Sequence, residues 1–189
     1  NKIVDYIYVY NTILNKKGMV KMNRIPEFIR DFSEVINELN NKSRFPLTKE
    51  FIQHGDISVY EHCIFVAYMS CQIANKLNIK VDKRSLIRGA LLHDYFLYDW
   101  HDKNKPIKLH GFRHPKIALR NASEEFDLNE KEKDIILHHM FPLNPIPPAS
   151  KEAWIICLAD KICATRETFG SQLYKQISSI YSHLGIIYD

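Results

Sequence analysis

Residues 58–77 read SVYEHCIFVAYMSCQIANKL, and their pattern decides the fold class. Ser58-x-x-Glu61 is a capping box: the hydroxyl accepts from the backbone N–H of residue 61, and the carboxylate reaches back to residue 58. From that cap, Val59, Val66, Ala67, Ile73, Ala74 and Leu77 recur on one helical face. The same period appears on both sides. Ile25, Phe28, Ile29, Phe32, Ile36 and Leu39 form a stripe, with Pro26 placed for a first turn. A third helix is predicted from Asp82 to Tyr95. His114-Pro115 opens a fourth, ending near Phe126. Asn129-x-x-Glu132 caps a fifth, which Pro142 stops. Ser150 caps a long helix through Phe169, and Ser171 begins one more. No alternating strand pattern of useful length occurs, and there are only six glycines. The expected fold class is all-α, a single helical bundle of about six or seven helices.

Composition agrees with one domain. The chain has 189 residues, 46% hydrophobic and 25% charged, long enough to bury a core without disulfides or a structural metal. A bound metal would therefore serve chemistry rather than folding. The net charge is only +4, with no basic arm, so no dedicated nucleic-acid partner is expected. No apolar run reaches the roughly 18 residues of a membrane span. The N-terminal stretch has no clean apolar segment or small-residue cleavage site of a signal peptide. Cys63, Cys71, Cys157 and Cys163 lack zinc-finger spacing and read as free thiols of a cytoplasmic protein. The expected division is an N-terminal extension at 1–21, a helical domain at 22–170 and a C-terminal helix or tail at 171–189.

The histidines carry the chemical information. Eight of the nine fall between His54 and His139. Asp160 has Ile156, Cys157, Cys163 and Ala164 at helical spacing, so it stands on an apolar face. A buried carboxylate needs a cation or several donors, and a salt bridge or a helix cap would serve as well as a metal. His62 has Val59, Cys63 and Val66 around it, and His93-Asp94 ends an apolar helix. A single such histidine is as readily a core residue bonded to a carbonyl. The second pair, His101-Asp102, lies in a polar loop and reads as solvent-exposed. His114 stands at the predicted helix start. His138 and His139 close a helix, where the dipole alone would favour a cation. Together these groups lie on different helices at core-facing or end positions. Imidazole and carboxylate suit zinc, iron, manganese and related ions, and helix packing would have to assemble the site.

The order of these residues resembles the HD-domain metal-dependent phosphohydrolase superfamily, whose pattern is H…HD…D on an all-α core. SVYEHCIFVA matches the first histidine, IRGALLHD the central pair and WIICLADKICATRE the closing aspartate, spanning Ser58 to Arg166. HGFRHP and ILHHMFP are similar to the extra histidines of two-metal subfamilies. The resemblance implies that His62, His93, Asp94 and Asp160 hold one divalent ion. His114, His138 and His139 would hold a second, with Asp94 bridging. The metal is Mn, Fe, Zn, Co, Ni or Mg. The implied function is hydrolysis of a nucleotide or related phosphoester by a metal-activated water. The partner is then a small anionic phosphate-containing substrate, not a nucleic acid or a membrane.

Charge on the phosphoryl group needs cations, and Arg113 and Lys161 directly flank proposed ligands. Lys103, Lys105, Lys108, Lys116 and Arg166 are further candidates. Asp99 is a candidate general base by its place after the central pair. Tyr95, Phe96 and Leu97 follow that pair where many relatives have Ile-Gly-Lys, so the match does not name a substrate. The alternative is a metal-containing nucleotide-binding regulatory module without turnover. There is no P-loop, GxSxG or GxGxxG, so NTPase, serine hydrolase and Rossmann readings have no support.

Overall fold

The computed structural model describes residues 27–102 and 109–169. The expected extension, the C-terminal helix, and Lys103, Lys105 and Lys108 lie outside them. Six α-helices and one 3-10 helix make up nearly all the regular structure of the described residues. Helix α1 runs Glu27–Lys42 and buries Phe32, Val35, Ile36 and Leu39. A 3-10 turn at Phe45–Glu50 follows, with Phe45 buried against the rings of Tyr60 and Tyr95. Helix α2 (Val59–Lys76) starts at Ser58 with the full capping box, Ser58 Oγ accepting from Glu61 N at 3.2 Å.

Helix α3 (Lys83–Leu92) is the central rod, capped by Asp82, which accepts from Ser85 N. Helix α4 spans His110–Glu125, α5 Glu130–His138 and α6 Lys151–Phe169. α2 packs against α3 and α6, while α3 also packs against α1 and α5. Leu86, Ile87, Ala90 and Leu91 of α3 meet Val59, Cys63 and Val66 of α2 and Ile135 and Ile136 of α5 in one core. At Gly89 the helices approach closely: a Cβ there would lie 2.6 Å from Ile135 Cδ1.

Two boundaries and one added element differ from the sequence expectation. α3 ends at Leu92 rather than Tyr95, because the chain turns at once: Tyr95 N bonds Leu92 O and Phe96 N bonds Asp94 O. Tyr95 and Phe96 are then buried as turn residues. α4 starts at His110, four residues before the expected His114. Leu109, in the left-handed region at φ 60, opens it by accepting from the N–H groups of Phe112 and Arg113. Pro115 lies inside the helix and has no N–H to donate there. The third difference is a two-stranded antiparallel hairpin, β1 (Ile52–His54) and β2 (Ile57–Ser58). Gly55, at φ 57, begins its turn. Such short strands leave no readable alternation, although Gly55-Asp56 between apolar residues was a turn signal.

Candidate metal centre

Five helices, two of them through the turns at their ends, deliver the charged groups to the middle of the bundle. α2 places His62, the end of α3 places His93 and Asp94, α4 places His114, the end of α5 places His139, and α6 places Asp160. All six are buried, His62 and His93 completely. Asp94 is the hub. Its Oδ2 lies 3.4 Å from His93 Nε2 and 3.7 Å from His62 Nε2. Its Oδ1 lies 3.0 Å from His114 Nε2 and 3.4 Å from His139 Nε2. Asp160 Oδ1 lies 3.1 Å from His62 Nε2 and 3.7 Å from His93 Nε2. Two groups of metal-ligating type share Asp94: His62 with His93, and His114 with His139.

The hydrogen bonds at the far side of each ring decide what faces inward. His93 Nδ1 bonds Ala90 O at 2.7 Å, His114 Nδ1 bonds His110 O at 3.0 Å, and His139 Nδ1 bonds Ile136 O at 2.9 Å. A carbonyl can only accept, so each Nδ1 donates. His62 Nδ1 sits 2.9 Å from both oxygens of the buried Glu167 carboxylate and donates likewise. In the neutral rings, all four Nε2 atoms then turn a lone pair toward the carboxylates. This is the arrangement by which outer partners orient ligating histidines. Two of the lone pairs nearly touch: His114 Nε2 and His139 Nε2 are 2.8 Å apart. They repel unless a proton or a metal ion lies between them. His93 Nε2 and Asp94 Oδ1 are buried without a hydrogen-bond partner. An interior that leaves such atoms bare fits a cation.

The electrostatics carry the same demand. Burial opposes charge on His62, yet Glu167 and Asp160 hold it well above the ordinary imidazole range. Burial is likewise outweighed at His93, chiefly by Asp94. Burial would raise the carboxyls, but the surrounding imidazoles hold Asp94 and Asp160 far below the carboxylate range. Without another cation the rings must supply positive charge as protons. Burial lowers His139 instead. A ring column backs the site: His110 stacks on His114 at 4.7 Å, and Trp100 stacks on His110 at 4.7 Å. His110 is pushed down to about 4 by burial and by its neighbour His114, so it stays neutral there at pH 7.

Six of the expected ligands are thus brought together, and one is not. His138 turns away, its Nδ1 2.7 Å from Asp134 Oδ1, because consecutive residues at a helix end point about a third of a turn apart. Asp99 is exposed and accepts from His101 N at 2.8 Å, which leaves it at the surface. Arg113 is exposed on α4 beside His114. Lys161 Nζ donates to His139 O at 3.1 Å and so braces the end of α5. His101 is exposed, as its polar loop implied. Two residues escaped the sequence reading. Glu167 stands seven residues after Asp160, two turns along the same face, and that spacing was a usable signal. Gln53, whose Nε2 donates to Asp94 Oδ2 at 2.6 Å, sits on the unannounced hairpin and gave none.

Neither the curated proteins nor the solved structures hold a significant match to this chain. The family model for the HD domain matches residues 59–165, from the first turn of α2 to the last turns of α6. Over more than half its length, and with its His and Asp residues gathered at one buried centre, the chain belongs to the HD-domain family of metal-dependent phosphohydrolases.

Proposed function

We propose that this chain hydrolyses a small phosphoester, a nucleotide or a related compound, with one or two divalent ions at the buried His–Asp cluster. His62, His93, Asp94 and Asp160 would hold one ion, and His114 and His139, with Asp94, would hold a second. A divalent ion in such a site supplies a nucleophilic water at neutral pH and polarises a phosphoryl oxygen.

The chain's own residues supply the rest. Glu167 fixes the tautomer and tilt of His62, and three backbone carbonyls do the same for His93, His114 and His139. Phe96, buried against the rings of His110 and His114, keeps bulk water from that side of the centre. Arg113 is placed to meet phosphate charge beside His114, while Lys161 positions His139 through its carbonyl. Asp99 has no part in the proposal, since its carboxylate is occupied by His101 at the surface. None of the four cysteines forms a disulfide, in keeping with a cytoplasmic setting. None of the described helices is long and apolar enough to cross a membrane.

The observation that carries the reading is the pair of imidazole nitrogens 2.8 Å apart against a buried carboxylate. The test is a panel of nucleotides, phosphomonoesters and phosphodiesters, each assayed with Mn, Fe, Co, Ni, Zn and Mg. Catalytic release of phosphate or nucleotide with at least one metal is expected. Stoichiometric binding without turnover would contradict the enzyme and leave a nucleotide-binding regulatory module.

A further inference from the structure

Gln53 lies on β1 and is only 6% exposed. Its Nε2 reaches Asp94 Oδ2 at 2.6 Å, and its Oε1 is buried with no hydrogen-bond partner. Leaving a buried amide oxygen bare is costly, so the bond made by the other end needs a reason. Asp94 supplies it. The oxygen that Gln53 holds is the one facing His62 and His93, and the other oxygen faces His114 and His139. Rotation of the carboxylate about its own axis would break this division, and the bond from Gln53 to Oδ2 opposes that rotation. The residue type also matters. Lys or Arg at that place would bring the positive charge that Asp94 lacks and compete with an ion for it. An amide donates a hydrogen bond and adds no charge.

We infer that Gln53 is a positioning residue for the metal centre: it locks the Asp94 carboxylate in the one rotation that serves both histidine pairs. The inference rests on the metal-dependent reading above. It is tested on the full-length chain, stripped with a chelator and titrated calorimetrically with Mn2+ alone. Gln53→Ala removes the side chain, and Gln53→Met removes the donor while keeping its length and most of its volume. Both variants are expected to keep the helical circular dichroism of the parent and to bind Mn2+ about 10–100-fold more weakly. If Gln53→Met binds like the parent, the positioning role is overturned, and weak binding by Gln53→Ala alone would mark a packing effect. If the parent chain itself takes up no Mn2+, the metal reading fails and Gln53 falls with it.

Discussion

Asp94 is the residue on which the centre turns, since among the described residues it is the one that both histidine pairs share. His139→Ala removes one ligand of the outer pair and relieves the 2.8 Å contact with His114. The variant is expected to fold and to carry half the parent's metal by elemental analysis, with reduced turnover. Asp94→Ala is expected to be worse, losing nearly all metal, because it strips both groups and leaves four inward imidazoles without their shared anion. Full metal in His139→Ala with weakened substrate binding would instead make these histidines phosphate contacts. Glu167 tests the orienting role at one remove. It holds His62 Nδ1 through both of its carboxylate oxygens. Glu167→Gln keeps the shape but changes the charge behind the ring, and metal affinity is expected to fall about 10–100-fold, read by calorimetry.

Helix ends set the geometry that these side chains need. α3 stops at Leu92, and the turn that follows throws His93 and Asp94 inward while Tyr95 and Phe96 seal behind them. Gly89 lets α5 close on α3 just before that turn, which brings His139 toward Asp94. Gly89→Ala places a methyl 2.6 Å from Ile135 Cδ1 and is expected to destabilise by about 1–3 kcal/mol in denaturant titration. Adding Ile135→Val should recover part of it. Asp134 ties α5 to the start of α6: its carboxylate accepts from Ala149 N, Ser150 N and Ser150 Oγ, and pairs with His138. Burial opposes its charge, but the bonds from Ser150, His138 and Ala149 hold it below the usual carboxylate range. A depressed folded value adds stability that is present above the unfolded value, about 3.9, and disappears as pH falls through the folded one. Asp134→Ala should therefore cost about 1–2 kcal/mol at pH 5. The gap between variant and parent should narrow below about pH 4. A gap that widens on acidification would contradict this sign.

For the molecule as a whole, the helices were legible where a cap or stripe marks them, and α4, whose start no side chain caps, was expected four residues late. Ser58, Asn129 and Ser150 all cap where their side chains announced it. The inward groups on helices could be found from their apolar neighbours, as at His62 and Asp160. His138 could not be told from His139, since ring direction at a helix end depends on tertiary packing and not on spacing. The hairpin was hidden because its strands are too short for a period, and Gln53 was hidden with it. The core of the described residues draws on every α-helix and is built of apolar side chains rather than of the charged groups. The fold should accordingly survive loss of metal, with helical circular dichroism retained and the melting temperature lowered. Direct metal quantitation on the full-length chain, as purified and after loading with Mn2+, puts the central claim to its plainest test. The account predicts transition metal in the purified protein, rising on loading toward one ion for each of the two His–Asp groups, with a matching rise in melting temperature. A chain that holds no metal before or after loading, and melts at the same temperature throughout, would contradict it.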